Sequence, residues 1–184
     1  MKNIFSIVKL TVLMVVLLAV IYPLAIYGIA QIAPNSGKGE TISVNGKVVG
    51  YQKIGQKFDK SNYFWGRPSA VDYNAAGSGG SNKGPSNADY LALVQKRIDT
   101  LLLVHPYLKK TDIPADMVTA SGSGLDPNIS PEGALMQVKR VAKERKLSED
   151  KVKKLVASKI SKPAVVGTSI VNVLELNVAL DELK

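Results

Sequence analysis

A long uncharged segment near the N-terminus constrains this chain more than any other feature. Residues 10–37 carry no charged side chain, and residues 10–30 alone supply 21 mostly apolar positions. A helix rises about 1.5 Å per residue, so about 20 such residues cross the roughly 30 Å hydrocarbon layer of a bilayer. A core helix of a soluble protein would show a polar face, and a signal peptide usually has only about 7–15 apolar residues. We therefore predict a single transmembrane anchor helix over residues 10–33.

Residues inside this span indicate that one side of it meets protein. Pro23 lies at mid-span, where its missing N–H should kink the helix or mark packing against another helix. Tyr22, Tyr27 and Gly28 point the same way. Residues 30–33 loosely resemble a small-residue cleavage site, so processing of the span is an open alternative.

The charges around the span favour one orientation in the cell membrane. Lys2, Lys9 and the α-amino group precede it, whereas Lys38 and Lys47 follow it, which gives a small preference for a cytoplasmic N-terminus. Long domains cross the membrane largely regardless of their own charge. We predict a short cytoplasmic tail over residues 1–9, a linker over residues 34–40 and an extracytoplasmic α+β domain over residues 41–184.

The first part of this domain predicts strands and loops. Asn45-Gly46 between two β-prone stretches is a strong hairpin signal. The aromatic stretch 58–73 predicts one or two further short strands, and residues 117–120 predict an extended segment. Ten of the fourteen residues 74–87 are Gly, Ser or Asn, which predicts a long surface loop.

The second part predicts helices that begin after capping residues. Asn87, Ser130 and Ser148 are each followed by an amphipathic pattern. The apolar positions expected to face the core include Leu91, Leu135 and Ile160. A final apolar stretch over residues 170–183 is predicted to be helical, with a strand permitted at its start. The fold class is therefore an α+β soluble domain preceded by a single N-terminal transmembrane α-helix.

Several kinds of chemistry are excluded by residue content. The chain has no cysteine and one histidine, His105, which excludes disulfides, thiolate zinc sites, cysteine nucleophiles and histidine-based triads. Residues 77–84 do not fit a phosphate-binding loop. Residues 126–137 begin like a calcium loop, but Pro131 and Gln137 stand where glycine and glutamate are required. We predict no enzyme activity for the chain alone, no metal site and no directly bound cofactor.

Much of the net charge of +9 lies in residues 139–162, which contain ten basic and three acidic residues. Nucleic acid or anionic lipid could bind such a surface. Aromatic residues that would stack on bases do not alternate with these lysines. We interpret the charges as solvated helix faces, with no nucleic-acid partner.

Two groups of residues remain without a catalytic explanation and are candidates for a subunit interface. The first combines aromatic residues with an arginine, as interface anchors do, and core packing at a turn is the equal alternative. The second consists of small residues on whose backbone a partner could pack closely. Their members are Tyr63, Phe64, Trp65 and Arg67 in the first group and Ser78, Gly79, Gly80 and Asn82 in the second.

These groups lie in stretches that resemble the C subunit of the Kdp-type potassium-transporting P-type ATPase. The matching stretches run in the family's order from the end of the anchor to the C-terminus. They include residues 46–50 (GKVVG), 63–70 (YFWGRPSA), 78–82 (SGGSN), 118–126 (VTASGSGLD), 137–142 (QVKRVA) and 171–181 (VNVLELNVALD).

The resemblance implies a non-catalytic accessory subunit of a potassium uptake pump. Its expected partners are a potassium-translocating A subunit, an ATP-hydrolysing B subunit, a small F peptide and the lipid bilayer, with K⁺ as the transported ion. The chain lacks the D-K-T-G phosphorylation motif and the T-V-G-Y-G filter sequence. It should therefore neither hydrolyse ATP nor conduct the ion alone.

Two functional readings remain beside this one. The family is described as a catalytic chaperone that raises the ATP affinity of the B subunit, and Gln137 in the Q-V-x-R-V-A run is a possible nucleotide-linked position. ATP is cytoplasmic, so direct contact conflicts with the predicted topology, which we favour. The alternative from another class is a membrane-anchored extracytoplasmic ligand-binding module, with loops 74–87 and 119–130 forming a pocket.

Overall fold

A computed structural model of the chain describes residues 2–162 and 167–183. The chain divides into two compact units, Met1–Glu40 and Thr41–Lys184. Helix α1 (Lys2–Val16) and helix α2 (Tyr22–Ala30) of the first unit are joined by one π-helical turn, Leu17–Ile21. The continuous helix Asn3–Ala30 contains an 18-residue stretch with a mean hydropathy of 2.8 and is, among the described residues, the one helix long and apolar enough to cross a membrane.

The π-helical turn is explained by Pro23. Proline has no N–H to donate to the carbonyl four residues before it, so the regular ladder is interrupted at this point. Immediately before it, the Tyr22 N–H donates to the Leu17 carbonyl, five residues back. A wider turn is a common way for a helix to accommodate such an interruption.

The second unit opens with the hairpin that the sequence predicts. Strands β1 (Thr41–Val44) and β2 (Lys47–Tyr51) pair antiparallel. The two turn residues, Asn45 and Gly46, have φ angles of 51° and 77°. A two-residue turn with positive φ at both positions matches the right-handed twist of the strands, which is why Asn-Gly is favoured there.

A second, three-stranded antiparallel sheet lies farther along the chain. Its strands are β3 (Asn128–Ile129), β4 (Ile160–Ser161) and β5 (Ile170–Asn172), in the order β3-β5-β4. Val171 of the central strand faces Ile129 on one side and Ile160 on the other. Strand β5 occupies the start of the final apolar stretch, where the sequence permits a strand, and the predicted helix follows it over Val173–Glu182.

Two predictions of extended structure are wrong, namely the short strands within residues 58–73 and the extended segment at residues 117–120. Residues 58–73, all of which the structure describes, contain no strand, and residues 117–120 contain none either. In the first stretch, backbone groups bond to side chains instead of a neighbouring strand, as described below. The second stretch follows a 3₁₀ turn at Ala115–Met117, which places the Val118 N–H on the Ala115 carbonyl.

Within its described residues the second unit has five α-helices, and four of them begin after a residue whose side chain caps the helix. The five helices are α3 (Ala88–Val104), α4 (Pro131–Leu135), α5 (Val138–Arg145), α6 (Glu149–Ser158) and α7 (Val173–Glu182). The side chains of Asn87, Ser130, Ser148 and Asn172 each accept a hydrogen bond from the third residue beyond them. This is the N-cap geometry that the sequence predicts for the first three.

The core is formed by α4 to α7, strands β3 and β5, and the C-terminal half of α3. Three residues expected to face it are exposed instead, namely Leu91, Leu135 and Ile160. Leu91 lies in the first turn of α3, and the buried residues of that helix, Ile98 and Leu101, begin two turns later. A periodic apolar pattern therefore overestimates how much of α3 contacts the core.

Candidate functional site

Two buried amides hold the backbone of the aromatic segment. Asn177 of α7 accepts from the Phe64 N–H (2.9 Å) and donates to the Phe64 carbonyl (3.0 Å). Gln137, between α4 and α5, does the same for Trp65, with distances of 2.8 and 3.1 Å. A neighbouring β-strand would offer the same donor and acceptor pairs. The two side chains thus take the place of a strand, which is why this stretch forms none.

Arg140 of α5 joins these amides to the rest of the segment. Its Nη2 donates to Gln137 Oε1 (2.7 Å), and its Nη1 donates to the carbonyls of Tyr63 (3.0 Å) and Ser61. The guanidinium carbon lies 4.3 Å from the centre of the Trp65 ring, in a cation–π contact. Burial lowers the pKa of Arg140 to about 10, so the side chain stays charged at neutral pH.

His105, the C-cap residue of α3, completes the cluster. Arg140 Nε donates to His105 Nε2 at 2.9 Å, and His105 Nδ1 lies 2.9 Å from the Leu101 carbonyl. Since Nε2 accepts, the ring proton belongs on Nδ1, which donates to Leu101. Burial, with the nearby positive charge of Arg140, lowers the pKa of His105. The ring is therefore a neutral structural acceptor.

Tyr63 is held at the edge of the same cluster. Its hydroxyl donates to Asp181 Oδ2 (3.0 Å), and Asp181 Oδ1 pairs with Arg145 Nη2 at 2.7 Å. The Arg145 guanidinium also lies 4.7 Å from the Tyr63 ring centre, and its Nε donates to the Asn62 carbonyl. The aromatic ring is partly exposed and fixed in one orientation.

Arg67 and the turn after it are fixed by a second set of bonds. Arg67 Nη1 donates to Asp126 Oδ2 at 3.0 Å, and the Tyr73 hydroxyl donates to the Arg67 carbonyl at 2.6 Å. Burial, with a smaller contribution from Asp126, raises the pKa of Tyr73 to about 12, so its hydroxyl remains a donor. A Cβ at Gly66 would lie 2.6 Å from the Tyr73 oxygen, which leaves room for glycine only.

The two small-residue loops pack against each other. The Gly79 N–H and the Ser78 hydroxyl both donate to the Ser123 carbonyl at 2.9 Å. A Cβ at Gly80 would lie 3.0 Å from the Gly122 carbonyl oxygen. The close neighbour that these small residues accommodate is thus a loop of the same chain.

A groove of about 440 Å³ separates residues 65–69 from helix α3. Trp65, Leu93, Leu101 and Met117 contribute apolar lining. Leu93 is 42% exposed although it is aliphatic. Basic side chains, including Arg67, Lys96 and Arg97, line the same groove.

The structure distributes the candidate interface residues over different environments. Phe64 and Gln137 are 0% exposed and belong to the interior, whereas Ser78 and Asn82 are exposed. Partly exposed positions are Tyr63, Trp65, Arg67, Gly79 and Gly80. In the membrane helix, a Cβ at Gly28 would meet nothing within 4 Å among the described residues. An interface role for these residues stays a prediction.

Sequence reasoning did not identify the residues that organise this site. Asn177, Arg140 and Asp181 were not singled out, and neither was Leu93. One signal was available for Asn177, which occupies an inward position of α7 between Val173 and Leu180. A polar residue at such a position requires buried hydrogen-bond partners.

Among the described residues, no group of three or more histidine, aspartate or glutamate side chains comes together that could hold a metal ion. The acidic side chains near the site are used in pairs with basic ones, as Asp126 is with Arg67 and Asp181 is with Arg145. The arrangement positions backbone and aromatic rings; it does not bring together a nucleophile and a base.

Comparison with known proteins identifies a family model and relatives that match nearly the whole chain. Residues 4–182 match the family model of KdpC, the K⁺-transporting ATPase c chain. A potassium-transporting ATPase KdpC subunit from Flavobacterium psychrophilum is 85% identical over 184 residues, which is the full length of both chains. The subunit of the same name from Bacteroides thetaiotaomicron is 51% identical over the full length of both chains. That from Caldanaerobacter subterraneus subsp. tengcongensis is 48% identical and covers 96% of this chain and 94% of its own.

The family match indicates the role of the chain. Such a chain is an accessory subunit of a potassium-transporting ATPase complex and not a catalytic enzyme on its own, and the apolar helix Asn3–Ala30 fits a membrane-anchored protein. The chain belongs to the KdpC family, the c chains of K⁺-transporting ATPases.

Proposed function

We propose that this chain assembles with and stabilises the ion-translocating and ATP-hydrolysing subunits of the pump, with its α+β domain outside the membrane. The main observation behind this proposal is that the backbone of residues 63–67 is held in place by buried side chains. Three buried side chains from α5, α7 and the turn before α5 fix a short segment in which Phe64 is buried and Tyr63, Trp65 and Arg67 remain partly exposed. Such preorganisation lowers the entropy lost when a surface binds a partner.

An effect of the subunit on ATP affinity would be transmitted through partner subunits. The Gln137 amide already makes four hydrogen bonds, since Nε2 donates to two carbonyls and Oε1 accepts from Trp65 and Arg140. The side chain is fully buried. A nucleotide could reach it only if Trp65 and Arg140 were displaced, so the geometry supports an indirect role.

A ligand-binding module is the second candidate, because the groove beside α3 has the volume of a small-molecule site. It differs in place from the pocket predicted between loops 74–87 and 119–130, which contact each other directly. A binding module should show saturable binding as a single chain, whereas a subunit should be recovered with its partners and be inert without them.

Protease accessibility in oriented membrane vesicles that carry the whole complex tests the proposal. Digestion of the domain from the outer face alone is expected. Digestion from the cytoplasmic face would overturn the topology and make a direct nucleotide contact the leading explanation. Co-purification of the tagged full-length chain with the other pump subunits is the parallel test of assembly.

A further inference from the structure

Both walls of the groove between residues 65–69 and helix α3 are held in place by hydrogen bonds within the protein. On one wall, the Trp65 backbone is held by Gln137 and the Arg67 carbonyl by the Tyr73 hydroxyl. On the other, Arg97 of α3 donates through Nη1 to the Val118 carbonyl at 2.9 Å. Fixed walls keep the groove open without a ligand, which is typical of binding surfaces formed before their partner arrives.

The apolar lining of this groove is accessible to solvent. Leu93 projects from α3 beside the groove and is 42% exposed, and Trp65 on the opposite wall is partly exposed. Exposed aliphatic and aromatic side chains that line one concavity mark an interaction site more often than scattered surface residues do. The groove can therefore receive an apolar side chain.

The charges beside that lining are mostly positive. Lys96 and Arg97 follow Leu93 by three and four positions, so all three share one face of α3. Lys57 and Asp72, also at the groove, neutralise each other at 2.8 Å. Arg67 is likewise paired with Asp126, which leaves Lys96 and Arg97 against Asp59 in the lining. The ligand that this lining complements carries negative charge.

Arg67 gives a second, independent indication. One of its nitrogens is paired with Asp126, but the buried Nε has no hydrogen-bond acceptor among the described residues. A buried donor without an acceptor is costly, and the great majority of such groups are paired in native proteins. The Arg67 side chain is 25% exposed and lines the groove, so a carboxylate there approaches the exposed edge of the guanidinium and not the buried Nε.

We propose that this groove binds a short segment of a partner subunit in which an aliphatic or aromatic side chain is flanked by a carboxylate. The apolar side chain packs against Leu93 and Trp65, and the carboxylate accepts from Arg67 and Lys96. The proposal rests on the proposed function as an assembly subunit. A polypeptide segment suits the site because an open groove covers one side of a chain and leaves the other side to the partner's own fold.

Site-specific photo-crosslinking in the complete membrane complex tests the occupant. A benzophenone amino acid is introduced at Leu93, and at Leu103 as the matched control. Leu103 is on the same helix and is 82% exposed, but it does not line the groove. The expected result is an adduct from position 93 to a peptide of another pump subunit that contains an acidic residue near an apolar one, and no such adduct from position 103.

Other adducts from position 93 would overturn the proposal. These are an adduct to lipid, to a small molecule, to a second copy of this chain, or to a peptide without acidic residues. Absence of any adduct from position 93 in an intact complex would overturn it as well.

A binding measurement separates this proposal from the proposed function. Recovery of partner subunits with the tagged full-length chain is compared for the wild type, Leu93→Asp, Lys96→Glu and Leu103→Asp. Loss of an apolar anchor should weaken association by about thirtyfold in Leu93→Asp, and Lys96→Glu should weaken it more strongly at low salt than at high salt. Leu103→Asp should match the wild type.

Failure of the proposed function and failure of the groove proposal give different results in this measurement. If the wild type recovers no partner, the proposed function is wrong. If the wild type and Leu93→Asp recover partners equally, only the groove is wrong. Fluorescence of Trp65, the single tryptophan of the chain, shows whether each variant has kept its fold.

Discussion

The irregular stretch between β2 and α3 contains two regions whose backbones are stabilised in different ways. Near its start, residues 61–65 are fixed by long polar side chains that reach in from α5, α7 and the turn before α5. Near its end, Ser78–Gly80 is fixed by close approach of backbone to backbone, against residues 122–124. The first arrangement depends on what a few side chains supply, whereas the second depends mainly on the absence of side chains at Gly80 and Gly124, beside the one hydrogen bond from the Ser78 hydroxyl.

This difference determines how each region should respond to mutation. Removing a side chain from the first region leaves several buried donors and acceptors unpaired at once. The second region has few side-chain atoms that a mutation could remove. The damaging change there is the addition of a single methyl group. The predictions below measure this contrast through urea unfolding of the full-length chain in detergent micelles, followed by the fluorescence of Trp65.

Arg140→Met should have the largest effect, a loss of about 4 kcal/mol in the free energy of unfolding. The substitution leaves the Tyr63 and Ser61 carbonyls, Gln137 Oε1 and His105 Nε2 without their shared donor. Lys143→Met on the exposed side of the same helix is the control and should change stability by less than about 0.5 kcal/mol. Equal effects of the two substitutions would show that the cluster does not hold the segment.

Asn177→Leu should cost somewhat less, about 3 kcal/mol. Leucine has the same branching and the same number of side-chain heavy atoms but leaves the Phe64 N–H and carbonyl unpaired in the interior. The neighbouring pair of Gln137 and Trp65 is left intact, so the emission of Trp65 should shift less in the folded state than in Arg140→Met. A stability equal to that of the wild type would mean that packing, and not the amide, fixes Phe64.

Gly124→Ala tests the second region and should cost about 2 kcal/mol. Gly124 has a φ of 67°, and its added Cβ would lie 2.7 Å from the Gly79 carbonyl oxygen. Gly122→Ala is the matched control, because a Cβ there meets nothing within 4 Å among the described residues. If both alanine variants unfold alike, the close approach of the two loops is not what stabilises this region.

The contrast also explains what the sequence could predict. The hairpin at Asn45-Gly46 and the helix starts at Asn87, Ser130 and Ser148 depend on residues within four positions of each other, and all four are confirmed. The membrane helix was equally accessible, because it follows from an uninterrupted local composition. Local chemistry was sufficient for these elements.

The candidate site depends on contacts that no local pattern contains. Phe64 and Asn177 are 113 positions apart, and Trp65 and Gln137 are 72 apart. The aromatic run is evident in the sequence, which predicts a strand there because a strand would satisfy the backbone hydrogen-bonding groups. The side chains that replace this strand cannot be identified without the fold. The same applies to Leu93, whose exposure depends on where residues 65–69 cross the face of α3.

The smallest predicted effect concerns pH and belongs to the first region. Burial lowers the pKa of His105 in the folded chain, so the unfolded chain binds a proton there more readily. The folded state should therefore lose stability as pH falls below about 6.5, the ordinary histidine pKa, with a slope of at most about 1.4 kcal/mol per pH unit for the one proton.

His105→Gln keeps an acceptor for Arg140 Nε but cannot titrate. Urea unfolding of both proteins between about pH 7.5 and pH 5.5 should show a steeper loss in the wild type, because acidic residues common to both contribute equally. Parallel curves would mean that the bond between Arg140 and His105 is not coupled to the folding of the cluster.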